Sequence, residues 1–340
     1  MIRILVVDDS LFIRTIVKDA LNKDPELEVV DTAANGIEAL RKIPLTKPDV
    51  VTLDVHMPRM NGLDTLRGME TLDFKPKVLM LSSLTSRDAD ITNRALKLGA
   101  DDFVLKPHNV HNVDSVMQEV IEKIKNLVRI KRYTGVRSTP SDTANRIVVI
   151  GSSAGGPPML DNIVSKLKPD LQAAVVITQH MPEGFTAALA LRLDKVAPMP
   201  VKETGTGDVL MKGEIYVSKA GFHTMISQAV NARKKKYGKI VHSQSPPVHA
   251  VRPAIDNTFR TAAKVFGKNT LGVVISGMGN DCGEGARAIK DAGGHVIVCD
   301  ERDCLVYGMA RSVIRHDAAD EIVRFKEIPS LINERISAMR

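Results

Sequence analysis

The chain has no tryptophan, and aromatic residues make up only 4% of its 340 positions. Stacking platforms for bases or sugars have little to be built from. Cysteine is scarce as well. Cys282, Cys299 and Cys304 are odd in number and lack the paired spacing of a metal site. Reduced thiols in a cytoplasmic protein are the simplest account of them. No apolar run approaches the roughly 18 residues of a membrane span. The first residues, MIRILVVDDS, read as a strand running into acids and not as a targeting leader. A soluble cytoplasmic protein is expected, with no membrane insertion.

What the chain does have is length for about two domains, and a hydrophobic content of 44% to fill their cores. Net charge is +7, a mild excess that a solvated basic surface accounts for. Charge is denser between Lys123 and Arg137, with six Lys or Arg and no acid. An exposed helix end running into a linker is the plain reading; an acidic partner, nucleic acid or lipid is the alternative.

Residues 1–130 alternate strand-like and helix-like segments. IRILVV (2–7) is an unbroken apolar run, as in a strand buried on both faces. LEVVDTA (27–33), DVVTLD (49–54), KVLMLS (77–82) and DFVLK (102–106) are four more. Helical stretches fall at 11–21 and near 36–43, 62–70, 86–98 and 111–130. The alternation predicts a five-stranded parallel sheet with helices on both faces. YTGVRSTPSDTAN (133–145) breaks it and reads as linker. A second block begins at RIVVIG (146–151), with further strands at 173–178, 270–276 and 294–300. Helices are expected there near 157–167, 185–195, 255–266 and 283–292. Within it, GEIYVSK (213–219) and FHTMISQ (222–228), split by AG, suggest an inserted β-hairpin, and NARKKKYGK (231–239) a turn. The expected division is 1–125, a linker over 126–145, and 146–340.

Strand ends carry the chemistry. Ligands of open parallel sheets gather at the carboxyl ends of the strands. Asp8 and Asp9 end the first strand, Asp54 the third and Ser82 the fourth, while Lys106 follows the fifth. Three carboxylates make a hard oxygen site suited to Mg²⁺, and a lysine and a hydroxyl beside them would hold a phosphoryl group. A single acid there could be a helix cap; the whole ordered set is not explained that way.

In the second block GSSAGG (151–156) follows a strand, which presents a serine on a tight turn. Serine needs a base, and the base an orienting acid. VVITQHMP ends at His180, and VVISGMGND ends in a glycine loop with Asp281. The order Ser153, His180, Asp281 differs from that of α/β-hydrolases, chymotrypsin and subtilisin. GSSAGG matches neither dinucleotide nor nucleotide fingerprints. His249 is a rival base, Asp256 reads as a helix-start residue, and the loop around Met278 offers free N–H groups for an oxyanion.

LVVDDS, LDVHMPRMNG and FVLKP resemble the receiver domain of two-component response regulators. That resemblance implies a flavodoxin-like fold in which Asp54 accepts a phosphoryl group from a histidine kinase. It also implies Mg²⁺ on Asp8, Asp9 and Asp54, phosphoryl binding by Ser82 and Lys106, and a switching aromatic at Phe103. IGSSAGGP, QHMP, RPAID, SGMGND and VYGMAR resemble the catalytic domain of the CheB family of chemotaxis protein-glutamate methylesterases. The likeness implies a doubly wound α/β domain, a triad of Ser153, His180 and Asp281, and the Met278 N–H as oxyanion donor. It implies hydrolysis of γ-glutamyl methyl esters on chemoreceptors, deamidation of receptor glutamines, and a receiver that hinders access until Asp54 is phosphorylated. Ala154 stands where many members have Thr, Ala254 where Ser is commoner, and Cys282 where Gly is common. The rivals are a DNA-binding response regulator, which would need a recognition helix that the output half does not display, and a scaffold with a dead triad.

Overall fold

The computed structural model describes residues 1–82, 86–106, 113–129, 133, 135, 142–230 and 236–339. Much of the expected linker and the first part, 231–235, of the turn expected over 231–239 lie outside the described residues; the rest of that turn, 236–239, is strand. The chain divides into two units, Met1–Lys131 and Arg132–Arg340.

The first unit alternates β1 (Ile2–Val7), α1 (Leu11–Leu21), β2 (Leu27–Ala33), α2 (Gly36–Thr46), β3 (Val50–Asp54), α3 (Gly62–Met69), β4 (Lys77–Ser82), α4 (Ser86–Lys97), β5 (Asp102–Leu105) and α5 (Val113–Arg129). Polar residues start the helices as side-chain capping requires: Asn35 accepts the Glu38 N–H and Asn61 the Asp64 N–H. The five strands are parallel in the order β2-β1-β3-β4-β5. Strand order reverses beside β1, so the crevice at the ends of β1 and β3 is where a ligand binds in such a sheet.

The second unit runs β6 (Ile147–Ser152), α6 (Gly156–Ser165), β7 (Ala174–Gln179), α7 (Phe185–Val196), β8 (Val201–Glu203), β9 (Glu214–Val217), β10 (His223–Val230), β11 (Lys236–Ser243), α8 (Ile255–Phe266), β12 (Thr270–Val274), α9 (Gly283–Asp291), β13 (His295–Cys299), α10 (Gly308–Arg315), β14 (Glu321–Val323) and α11 (Ile328–Ala338). Seven parallel strands form one sheet, β14-β13-β12-β6-β7-β9-β8. Its two faces carry separate cores. Leu160, Leu189 and Ile332, from α6, α7 and α11, pack on one. Phe259, Ile289 and Val313, from α8, α9 and α10, pack on the other. The chain leaves β6 for β7 on one side and returns to β12 on the other, so the switch point lies between β6 and β12.

The hairpin differs from the expected one. The segment 213–219 supplies β9, an inner strand paired with β7 and β8. The hairpin is β10 with β11, antiparallel over His223–Val230 and Lys236–Ser243. The buried Ile215, Tyr216 and Val217 explain the change, since an inner strand hides both faces. Strands β8 and β14 have three residues each, too short to show a period.

Candidate active site

The acidic pocket of the first unit forms where β1 and β3 end. Asp8 is wholly buried, Asp54 nearly so, and Asp9 is exposed. Their ligand oxygens lie within 4.8 Å of one another, a spacing that fits a small oxygen-seeking cation. Lys106 Nζ stands 2.8 Å from both Asp8 Oδ2 and Asp54 Oδ1. Burial pushes the Asp54 carboxyl up; Lys106 opposes this and Asp8 adds to it. Burial draws the Lys106 ammonium down, but the two acids outweigh it and hold it above its ordinary value. Ser82 ends β4 with its Oγ accepting from Thr92 Oγ1 of α4 at 2.8 Å. Phe103 is buried, with Lys123 Nζ 4.9 Å from its ring centroid.

Lys123 corrects one expectation. It does not open an exposed basic stretch. Its side chain is 1% exposed, it donates to the Phe103 carbonyl, and it pairs with Glu119 at 3.1 Å. Lys125 pairs with Asp24 at 2.7 Å and Arg129 with Glu26 at 2.6 Å. Asp24 and Glu26 are remote in sequence, whereas Glu119 stands one turn back on α5.

In the second unit the three strand-end residues converge. Ser153 follows β6, and its N–H donates to the Ser276 carbonyl beyond β12 at 3.0 Å. The turn is tight because Gly155 takes a φ of 75°, and a Cβ there would come 2.6 Å from Leu305 Cβ. His180 follows β7, its N–H donating to the Ser152 carbonyl at 3.0 Å. Its Nε2 lies 2.8 Å from Asp281 Oδ2. His180 Nδ1 and Ser153 Oγ make no hydrogen bond among the described residues.

Asp281 is held from all sides. Its Oδ2 also accepts the Ile255 N–H at 2.6 Å, and its Oδ1 accepts the N–H groups of Asp256 at 2.9 Å and Cys282 at 3.0 Å. The reason lies in α8, whose N-cap is Ala254 and has no side-chain oxygen to offer. Asp281 supplies the cap from a distant part of the chain. Burial pushes its carboxyl up, but the bonds from His180 and the helix N–H groups prevail and hold it below the usual range.

Met278 is 74% exposed. Its N–H has no acceptor among the described residues. With His180, His249, Val251, Asn280 and Asp281 it lines a cleft of about 270 Å³. His249 pairs with Asp256, not Asp281, at 3.0 Å.

Ser276 and Gln179 escape a reading by sequence. Ser276 Oγ donates to the Ala154 carbonyl at 2.7 Å and accepts the Val306 N–H at 3.0 Å, so it joins the serine turn to the loops after β12 and β13. Gln179 Nε2 donates to the carbonyls of Ser153 and His180. Both lie within quoted motifs, QHMP and SGMGND, but only the fold reveals what they bridge.

Two doubly wound units in tandem, with acids at one switch point and serine, histidine and aspartate at the other, define a receiver-fold unit followed by a doubly wound unit with an esterase-like site. Comparison with known proteins agrees. The family model for the response regulator receiver domain matches residues 4–118, and that for CheB methylesterase matches 148–332. A protein-glutamate methylesterase/protein-glutamine glutaminase 1 of Methanospirillum hungatei is 53% identical over all of this chain and 99% of its own length. One of Pyrococcus horikoshii is 40% identical over 100% of this chain and 95% of its own. The crystal structure of the Thermotoga maritima CheB methylesterase catalytic domain is 38% identical, covers 56% of this chain and 98% of that one, and aligns with a TM-score of 0.53. The chain belongs to the CheB methylesterase family.

Ser276→Ala removes the hydroxyl that joins three loops. It is expected to cost about 1–3 kcal/mol of stability and to lower turnover roughly tenfold to a hundredfold through misplacement of Ser153. Thermal melting and ester hydrolysis, measured side by side, check both.

Proposed function

We propose that the chain hydrolyses γ-glutamyl methyl esters on chemoreceptors, releasing methanol, and deamidates receptor glutamines, under control of phosphorylation at Asp54. The observation that carries the chemistry is the His180–Asp281 pair at 2.8 Å, which Gln179 ties to the Ser153 backbone, with Met278, whose N–H is unengaged among the described residues, lining the cleft of that pair. The names of the relatives support the substrate class.

Ser153 Oγ attacks the side-chain carbonyl of the receptor residue. His180 Nδ1 takes the serine proton, because its Nε2 is committed to Asp281. The oxygen that gains charge is stabilised by the Met278 N–H. His180 then returns the proton to the leaving methoxide or amine, and methanol or ammonia departs. Water attacks the acyl group by the same route, and Ser153 recovers its proton. No Ser153–His180 bond is made among the described residues, and this mechanism requires it to form with substrate bound.

In the receiver, proposed as residues 1–125, Asp54 takes a phosphoryl group from a histidine kinase. Asp8, Asp9 and Asp54 would hold Mg²⁺, which supplies positive charge against the phosphoryl oxygens when bound. Lys106, already within 2.8 Å of Asp54, pairs with the transferred group, and Ser82 donates its hydroxyl to it. Residues 126–145 act as linker and 146–340 as the catalytic part. Phosphorylation biases a two-state element that governs access to Ser153.

No helix among the described residues is long and apolar enough to cross a membrane. A cytoplasmic setting follows from the proposed substrate and phosphodonor. Nucleic-acid binding gains nothing from Lys123, Lys125 and Arg129, whose charges are already paired.

A fluorophosphonate probe tests the enzyme reading against a scaffold. Labelling mapped to Ser153 by mass spectrometry is expected; a folded protein that stays unlabelled sinks the reading. Asp54→Asn is expected to abolish stimulation of methanol release by a small phosphodonor, so that the ratio of rates with and without it falls to one.

A further inference from the structure

The pair of His249 and Asp256 takes part in no step above. Asp256 is wholly buried in the first turn of α8. Its carboxylate accepts the Gly285 N–H at 2.6 Å and meets His249 Nε2 at 3.0 Å. Helix α9 has no side-chain cap of its own at Cys282. Asp256 therefore caps α9 as Asp281 caps α8. The Asp256 N–H in turn donates to Asp281 Oδ1 at 2.9 Å. A run of bonded residues thus leads from His249 through Asp256 and Asp281 to His180.

His249 is held in this place against a backbone cost. Val248 and Val251 exchange hydrogen bonds of 3.2 and 3.0 Å across a two-residue turn. His249 and Ala250 at its centre have φ of 51° and 61°, a left-handed conformation unfavourable for residues other than glycine. The ring is one-third exposed and lines the same cleft as His180.

A cation explains the cluster less well. Ligand atoms of His249, Asp256 and Asp281 do lie within 4.8 Å of one another. However, the oxygens of Asp281 already accept four hydrogen bonds, which fills the roughly four sites of a carboxylate.

We infer that His249 and Asp256 form a positioning pair for the esterase, acting through Asp281 on His180, and this rests on the triad reading above. Two carboxylates side by side in dry surroundings repel. The imidazole bonded to Asp256 keeps that carboxylate turned to His249 and Gly285, and Asp281 stays aligned with His180. Burial and the neighbouring Asp281 both push the Asp256 carboxyl up, which is the tension the pair resists.

Few other titratable groups face the pair. The Cys282 thiol is pushed well up by burial and both acids, so it is neutral. Glu284 of α9 pairs with Arg260 of α8 at 3.0 Å. His223 accepts the Ala254 N–H on Nδ1 and meets the Pro246 carbonyl with Nε2. His316 Nδ1 meets the Ser312 carbonyl.

The test is methyl-ester hydrolysis by the full chain across pH, with thermal melts to show that each variant is folded. Asp256→Asn keeps an acceptor for Gly285 but removes a negative charge from the bonded run that ends at His180. It is expected to move the acid limb of kcat/KM to lower pH by about half a unit to one unit. His249→Ala is expected to lower kcat about tenfold or more with KM unchanged. His249→Gln, whose amide can donate to Asp256, is expected to restore most of that loss. An unmoved limb in Asp256→Asn, a glutamine variant as poor as the alanine one, or an effect confined to KM overturns the pair. Ser153→Ala is run beside them. Turnover surviving in it overturns the triad reading itself; turnover lost in it while the His249 and Asp256 variants behave as wild type overturns only the pair.

Discussion

Replacing Ser153 by alanine is expected to lower methyl-ester hydrolysis by at least about 10⁴-fold, with the protein still folded. Removing the nucleophile of a triad costs about as much as removing the whole triad, because the remaining members have nothing to activate. Ser153 is only half-buried, and its side chain makes no bond among the described residues, so truncation leaves no orphaned partner. Melting temperature should therefore stay close to wild type. Single-turnover kinetics on a methylated receptor fragment, with a melt of the same sample, checks this. A fall in rate matched by a fall in stability would point to Ser153 as a structural residue.

Asp281→Asn is expected to act on both rate and stability. An amide in place of the carboxylate loses the charge that stabilises imidazolium and favours the wrong tautomer, which costs roughly 10⁴-fold in turnover. It also weakens the cap on α8, since one amide oxygen cannot replace two carboxylate oxygens serving three backbone N–H groups. The loss of charge-assisted bonds is expected to cost about 2–3 kcal/mol. The sign with pH is fixed. The folded carboxyl is held below its ordinary value, so its contribution is full above the unfolded value near about 4. It is lost as pH falls through the folded value. The gap in melting temperature between wild type and variant should be widest near neutrality and close in acid. A gap that widens in acid would contradict it.

These two residues also show what a sequence can and cannot disclose. Ser153, His180 and Asp281 each stand just past an apolar run, and parallel sheets bring such positions to one edge, so their meeting is legible in the apolar pattern alone. The role of Asp281 as the cap of α8 is not. It depends on Ala254 leaving that helix end without a local partner and on a fold that carries residue 281 to it. Lys123 is a similar case. At the head of a run of basic residues it reads as exposed, yet the fold lays it on Phe103 beside Asp102 and Glu119. The hairpin departs from expectation for a third reason. Alternation marks a strand but does not name its partner, and Ile215–Val217 pairs with β7 rather than with the strand that follows it. Local pattern gives elements and strand-end chemistry, while caps, buried charges and strand partners come from contacts distant in sequence.

Charge in the chain is segregated as well. Residues 1–131 carry 19 Lys and Arg against 20 Asp and Glu, and residues 132–340 carry 28 against 20. The basic excess of residues 132–340 favours encounter with an acidic surface, because opposite fields speed encounter, and salt weakens the effect.

The most direct measurement is methanol release from methylated chemoreceptor, with and without a small phosphodonor and Mg²⁺. Wild type should release methanol faster with phosphodonor, Asp54→Asn at one rate in both conditions, and Ser153→Ala not at all. Release that persists without Ser153, or none from folded wild type in either condition, would contradict a phosphorylation-controlled esterase acting through Ser153.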